Sequence, residues 1–348
     1  MHTDILIIGG GLSGLTLAET LQQMGRDFLL VEARNRLGGR IDVLHDGGSA
    51  FDLGPSWFWP GQPRMELMAR RLSLTTFTQY SVGDVSYENE SGMVQRGAGY
   101  ASMDGSYRIE GGMAAIVAGL TARIRMKRLK LKAPVVEIDQ SGCVTFANGE
   151  TVTAEKIVLA IPPRVISTIK ITPDLDPVTQ QSLRNIPTWM GGQAKFVATY
   201  IRPFWREAGL SGDAMSRRGP MVEIHDASAM AGTPGALFGF LGVPAAHREG
   251  QSDALQAACV TQLGRLFGSQ ALAPQKVELR DWAYAPETAS LLDQQPLGAH
   301  PRYGLPSALR HLWKGKLILG STEIASEFGG FLEGALVAAE EVLMKLDA

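Results

Sequence analysis

Three glycines, Gly9, Gly11 and Gly14, follow the aliphatic run Ile5-Leu6-Ile7-Ile8 in the spacing G-x-G-x-x-G, and an acid, Glu32, closes the next aliphatic run, Phe28 to Val31. Residues of these types in this order bind a dinucleotide. The first glycine permits a tight turn, the second lets the backbone approach a pyrophosphate, and the third lets a helix pack closely on the strand. That helix, with Ser13 in its first turn, aims N–H groups and the positive end of its dipole at the phosphates. A carboxylate about 20 residues on accepts from ribose hydroxyls and repels a 2′-phosphate. The expected ligand is therefore FAD or NAD rather than NADP.

Lys195 is the second residue with chemical potential, set between Ala194 and Phe196 in the run AKFVATY. An unpaired lysine is costly in an apolar strand, so its ammonium must reach a carboxylate, a cofactor or water, the last also by snorkelling to the surface. Hydrolytic and metal chemistry find no support. The six histidines, 2, 45, 225, 247, 300 and 311, are scattered without ligand spacing, and no metal site is expected. Cys143 and Cys259 fit two structural thiols in a reducing compartment better than a disulfide.

The elements that must position these groups read as follows. DILIIGG is a parallel strand buried on both faces, and Leu15, Leu17, Ala18, Leu21 and Met24 stripe a helix that Gly25 ends. PRMELMARRLSL is a short amphipathic helix. LKAPVVEIDQSGCVTFANGETVTAEKIVLAIPP reads as a β-meander with a turn at NGE and a buried closing strand, Ile157 to Ile161. KFVATYIRPFW and ALFGFLGV read as sheet strands, and KLILG precedes a closing helix from about Phe331.

The bulk numbers bound the function. A chain of 348 residues suits two domains. A net charge of −2 argues against nucleic acid as a partner. The basic stretch 123–132 reads as a helix end carrying cations against its dipole, then an edge strand with outward lysines; the alternative is a docking patch for an anionic partner. No apolar run reaches the ~18 residues of a membrane span, and no export signal precedes the first strand, so a soluble, cytoplasmic protein is expected.

RNRLGGR, directly after Glu32, supplies Arg34, Arg36, Gly38, Gly39 and Arg40. This R-x-G-G-R segment resembles the second glycine motif of flavoproteins in the amine oxidase and protoporphyrinogen oxidase superfamily, which selects FAD. AFDLGPSWFW resembles the segment that passes the flavin ring, placing Gly54 there; YRIEGGMAAIVAGLTARI resembles the return into the FAD domain. QAKFVATYIRPFW, with Lys195 ahead of Pro203-Phe204-Trp205, and GSTEIASEFGGFLEGALVAAEEV extend the resemblance over most of the chain, nearest to the monoamine oxidases.

The resemblance implies an α/β fold: a Rossmann-like FAD-binding domain (GR2-type, FAD/NAD(P)-binding fold) from 1–60, 105–163 and 280–348, with a discontinuous mixed α+β substrate domain from 61–104 and 164–279. It places Arg40 on the pyrophosphate, Arg34 near the ribose or adenine, the backbone of Val135 at the adenine, and Glu323 on a ribose or ribityl hydroxyl. Gly329 and Gly330 would leave room for the isoalloxazine. Phe331 and Leu332 would open a helix toward its electron-rich edge, where negative charge builds on reduction. Lys195 would hold a water at the flavin and assist reaction with O2.

The same resemblance exposes departures. Counting back from Tyr303-Gly304 through Pro296-Leu297-Gly298 puts Ser290 where relatives carry a flavin-linked cysteine, so the expected FAD is non-covalent. The two walls of the amine cage fall on Leu291 and Phe331, with Trp282 and Trp57 as further aromatic surface. The leading expectation is an FAD-dependent amine oxidase taking a small-molecule amine and O2. The alternatives are another flavin oxidoreductase on this fold (a desaturase, or a protoporphyrinogen-oxidase-like or renalase-like NAD(P)H oxidase), an FAD-binding non-catalytic subunit, and a demethylase module in nucleic-acid complexes.

Overall fold

The computed structural model describes residues 1–295 and 297–347; Pro296, part of the count that placed Ser290, lies outside them. The chain begins with β1 (His2–Ile8), α1 (Leu12–Gln23) and β2 (Phe28–Val31), then a hairpin of β3 (Val43–Asp46) and β4 (Ser49–Asp52), then α2 (Pro63–Arg71) and β5 (Thr76–Thr78). Next come β6 (Asp84–Glu88), β7 (Val94–Arg96), β8 (Tyr107–Ile109), α3 (Ala114–Thr121), β9 (Leu129–Lys130) and the meander β10 (Val135–Asp139), β11 (Cys143–Phe146), β12 (Thr151–Leu159). After α4 (Pro163–Ile166), β13 (Lys170–Thr172) and α5 (Pro177–Arg184) stand β14 (Ala194–Tyr200), α6 (Phe204–Glu207), β15 (Leu210–Ser216), β16 (Met221–Asp226) and β17 (Gly235–Leu241). Helix α7 (Ser252–Phe267), β18 (Lys276–Asp281), β19 (Leu317–Leu319) and α8 (Leu332–Leu346) close the chain.

Two large sheets organise these elements. In the first, β9, β2, β1, β12 and β19 run parallel, and the meander extends it through β11 and β10 to β13. Its central strand is buried on both faces, as a parallel strand between helix and meander layers must be. Ile5 and Ile7 pack with α1, α3 and α8, while Leu6 and Ile8 pack with the meander side. The second sheet runs β18-β14-β17-β16-β15-β6-β7. Strand alternation sends Phe196 and Ala198 of β14 to the α7 side, and Lys195 and Val197 to the other, toward the first domain.

Packing draws the domain boundary inside the expected one. Helix α2 lies in 61–104, yet Met65 and Met68 are buried in the core shared with α1 and α8. Glu333 of α8, fully buried, accepts from the N–H groups of Arg64 and Met65 at 3.0 and 2.8 Å, capping the first turn of α2. Likewise β13 pairs with β10, and Ile166, Ile171, Leu183 and Ile186 pack against the first sheet, although 164–279 was expected to have left it. The apolar periodicity of these segments specifies a buried face, not which sheet receives it.

The basic stretch divides. Strand β9 is the edge strand, but its cations are not in the last turn of α3; Arg123 faces Glu19, Arg128 pairs with Asp27, and Lys130 pairs with Glu150 at 2.8 Å. Cys143 and Cys259 are unpaired. No described helix is long and apolar enough to cross a membrane.

Candidate active site

The two glycine turns are stitched together. Gly38 donates its N–H to Gly10 O at 2.8 Å, and Gly11 and Gly38 form a parallel bridge. Gly14 is sterically obligatory, because a Cβ there would lie 2.0 Å from Gly9 O. At Gly11 the reason differs: a Cβ would meet nothing nearer than Gly39 Cα at 3.9 Å. The space beside Gly11 is open in the protein itself, as a ligand cradle requires.

Helix α1 begins at that cradle with Gly11 as N-cap and no side-chain cap. Helix α8 begins in the same way on Phe331. An α-helix leaves its first N–H groups without intrahelical partners, so two uncapped, positively polarised ends open on one cavity, which Leu12, Ser13, Phe331, Leu332 and Ala335 help to line. The volume of that cavity is about 820 Å³, near the upper end of the ~300–1,000 Å³ usual for small-molecule sites.

The polar groups at this end are organised around Glu32 and Arg40. Glu32 accepts from Gly10 N–H at 2.8 Å and Arg34 N–H at 2.9 Å, which fixes its carboxylate over the glycine turn. The Arg34 guanidinium donates to Glu287, Gly39 O and Thr288, so it braces the second turn from the cavity wall. Arg36 does the same from behind, donating to Ile41 O and Asp42. Arg40 lies 2.6 Å from Glu323, which is fully buried, yet neither carboxylate oxygen of Glu323 receives a well-directed hydrogen bond. Ser321 Oγ is also without a partner. Buried acceptors left unmade are costly; Ser321 lines the cavity, which a polyhydroxyl chain and a diphosphate could fill, whereas Glu323 does not line it and stands behind Arg40, which does. Val135, Gly39 and Gly54 complete this lining. The donor set thus fits FAD: open glycine cradle, carboxylate for ribose, free amides and an arginine for phosphate, and the unpartnered Ser321 hydroxyl.

Ser13 turns its hydroxyl to Gly320 O at 2.5 Å, tying α1 to the end of β19. Gly54 is required for a close approach, since a Cβ would lie 1.9 Å from Arg40 O.

The far end of the cavity is made of side chains. Lys195 is 2% exposed; its Nζ donates to Gly54 O at 2.9 Å and Ser56 Oγ at 2.5 Å, and lies 3.9 Å from the centre of the Phe238 ring. Burial pushes its pKa down to about 7, against the charge of Asp52, which favours protonation. Asp52, buried and accepting from Met113 N–H at 2.8 Å, is pushed up to about 6 by the same desolvation, with Lys195 opposing. Trp57, hydrogen-bonded to Gln79 at 2.8 Å, and Trp282, hydrogen-bonded to Leu53 O at 3.0 Å, both line the cavity.

Phe331 lines it too, but Leu291 does not: it is 81% exposed on the surface, outside the lining. Its short helical turn is capped by Ser290, whose hydroxyl donates to Asp293 at 3.0 Å, and this turns the neighbouring side chain outward. The rings that face the cavity near Phe331 are Trp59, edge-on to it at 6.3 Å, and Trp189, neither of which spacing from Tyr303 suggested. His300 stacks on Phe331 at 4.9 Å and meets Trp189 edge-on at 4.7 Å, wedging the two rings from behind. Gly329 and Gly330 serve this packing. A Cβ at Gly329 would strike Tyr303 at 2.3 Å, and one at Gly330 would strike Trp189 at 2.9 Å. Gly334 makes room for the Phe328 carbonyl at 2.2 Å. The bare start of α8 therefore accommodates protein, not only a ligand.

Among the described residues one cluster could hold a metal by proximity, the exposed His2, Asp4 and Glu155, and it lies outside the cavity lining.

Residues 86–343 match the family model for flavin containing amine oxidoreductase, and residues 7–72 that for an NAD(P)-binding Rossmann-like domain. Amine oxidase [flavin-containing] B of Mus musculus is 23% identical, covering 99% of this chain and 86% of its own. A Dictyostelium discoideum protein named "Probable flavin-containing monoamine oxidase A" is also 23% identical, over 96% of this chain and 95% of its own. Among solved structures, cyclohexylamine oxidase from Brevibacterium oxydans superposes with a TM-score of 0.82 at 21% identity, over 99% of this chain and 100% of that one. A putrescine oxidase bound to putrescine superposes at 0.79 with 19% identity, over 100% of both. At such identities the superpositions establish the fold.

Proposed function

The chain belongs to the flavin-containing amine oxidoreductase family, and from that premise we propose an amine oxidase that holds FAD without a covalent bond and returns electrons to O2. The observation that carries the reading is the meeting, at one cavity, of two uncapped helix N-termini with a buried, pKa-depressed lysine. The balanced reaction is amine plus O2 and water to aldehyde or ketone, ammonia or amine, and H2O2.

When bound, FAD would supply the electron sink between the amine and oxygen. The chain supplies position, dryness and protons. Glu32, Arg40, braced by Glu323, and the α1 amides would hold the nucleotide, and the α8 amides would favour negative charge at their end of the cavity. Trp57, Trp189, Trp282 and Phe331 line a largely apolar chamber in which a neutral amine is favoured over an ammonium. An ammonium has three donors; Lys195 uses two on Gly54 and Ser56, leaving one for a water. A lysine titrating near neutrality can exchange protons with that water as O2 gains the two it needs to become H2O2.

Non-covalent attachment has its own support. A bond to the cofactor ring needs a nucleophile, and no Cys, His or Tyr is among the described residues lining the cavity. Cys259 is buried within α7 and its thiol is pushed up to about 12 by burial. The absence of a described membrane-spanning helix and the two free thiols are consistent with the cytoplasmic location we propose.

The test is the product balance of purified holoprotein with a panel of amines: stoichiometric H2O2, ammonia or amine, and carbonyl compound support the proposal. Turnover of NADH with none of the amines would replace it by the dihydronicotinamide alternative. Acid precipitation should leave the yellow colour in the supernatant; a yellow pellet refutes non-covalent binding.

A further inference from the structure

The cavity wall beside Phe331 hangs on a loop that the fold grips at both ends. Residues 187–193 join α5 to β14, and Trp189 and Met190 at their centre both line the cavity. Met190 has φ +58°, a left-handed backbone that a side chain disfavours. The loop keeps that shape because groups outside it hold its ends.

Asp293 holds the first end. Its carboxylate is fully buried, and Oδ1 accepts from Thr188 N–H at 2.9 Å and from Arg164 at 2.8 Å. Oδ2 accepts from the Ser290 N–H at 2.8 Å and the Ser290 hydroxyl at 3.0 Å. A carboxylate has about four acceptor sites, so Asp293, although it lines the cavity, has none left for a ligand. One side chain thus ties together α4, the loop and the Ser290 turn. Its backbone presses on the loop as well, since a Cβ at Gly192 would lie 2.3 Å from Asp293 O. The second end is held by Arg248, also buried, which donates to Gly192 O at 2.7 Å while pairing with Asp281 at 2.7 Å. Trp282 N–H donates to Gln193 O at 3.0 Å. Between these grips Trp189 stands in one place, against Gly330 and His300.

We propose that Asp293 is a positioning residue for the amine chamber, acting through Trp189: it keeps the loop in the conformation that presents this ring to the substrate. This rests on the amine-oxidase reading and adds to it a residue whose acceptors never reach the amine. Hydrogen bonds to an ionised group are strong. Without them the loop relaxes from its left-handed turn, and apparent affinity falls by the fraction of molecules whose wall stays in place. Saturating amine restores the wall, so KM carries the loss and kcat does not.

The experiment measures kcat and KM for one amine in wild-type holoenzyme, Asp293→Asn, Trp189→Ala and the double variant. Asparagine keeps the size but sets an NH2 group against N–H donors. One charge-assisted hydrogen bond corresponds to about tenfold or more, so KM should rise by that factor in Asp293→Asn, with kcat little changed. Trp189→Ala should raise KM by itself, and adding Asp293→Asn should then change KM by less than about twofold. An unchanged KM in Asp293→Asn, or effects that multiply in the double variant, overturns the proposal; a merely structural group would lower the melting temperature without moving KM. Should Asp293→Asn not yield holoprotein, Gly192→Ala decides, because its methyl pries the loop off the Asp293 carbonyl with every charge kept. A raised KM that vanishes in the Trp189→Ala background supports the proposal, and an unchanged KM overturns it. Amine turnover with these KM values unmoved sinks this proposal alone; no turnover of any amine by the wild type sinks the amine-oxidase reading with it.

Discussion

The two ends of the cavity are built from different material. At the glycine end the working parts are backbone: glycine turns, uncapped helix starts and a carboxylate pinned by two N–H groups. At the far end they are side chains on a sheet face, with Lys195, Phe240 and Glu223 in one row and tryptophans around them. Substitutions at the first end should therefore act by filling space, and at the second by changing charge and proton traffic.

The largest expected effect separates two glycines three residues apart. Gly14→Ala puts a methyl 2.0 Å from Gly9 O and should abolish soluble folded protein, read as loss of the cooperative melting transition. Gly11→Ala meets no protein atom closer than 3.9 Å; it should fold with a near-normal melting temperature and yet bind FAD about tenfold or more weakly, as overpacking against a ligand costs about 1–3 kcal/mol. Equal FAD affinity in Gly11→Ala would break the claim that the space beside this glycine belongs to the ligand.

The next effect tests the far end. Lys195→Met should be reduced by amine at a rate close to wild type but reoxidise in air at least about tenfold more slowly, the low end for loss of general acid–base help. An unchanged reoxidation rate in stopped-flow removes Lys195 from the oxygen step.

A smaller effect follows from the same residue. The pKa of Lys195 is lowered in the folded protein, to about 7 from 10.5, so between those values the unfolded chain binds the extra proton. Stability should fall as pH drops from about 10 toward 7, and Lys195→Met should flatten that slope in pH-dependent denaturant melts. A slope that persists in the variant assigns it to another group.

The smallest effect is at Leu291. Its exposure predicts that Leu291→Ala changes stability by less than about 0.5 kcal/mol and leaves kcat/KM within about twofold of wild type; a large rise in KM would return it to the cavity.

The contrast also explains what could be read in advance. G-x-G-x-x-G, Glu32 and R-x-G-G-R lie within one strand-turn-helix-strand unit, so sequence distance and spatial distance coincide; Gly9, Gly11, Glu32, Gly38, Gly39 and Arg40 line the cavity, whereas Gly14 and Arg36 pack behind it. Lys195 was legible because a lysine in an apolar strand demands a partner. The remaining wall was not, because tertiary packing assembles it from remote segments. Trp189 precedes β14, His300 wedges it against Phe331, and Glu223 joins the row only through sheet register. A count from Tyr303 could not see that the capped turn at Ser290 sends Leu291 to solvent. The glycines before α8 were legible as close approaches, but not what approaches them, which includes Tyr303 and Trp189.

The most direct test of the central claim is the absorbance of the bound flavin under anaerobic conditions while amines are titrated in. The account predicts bleaching of the yellow band by amines, with return of colour and stoichiometric H2O2 when air is admitted. A flavin that stays yellow with every amine and bleaches with NADH would contradict it.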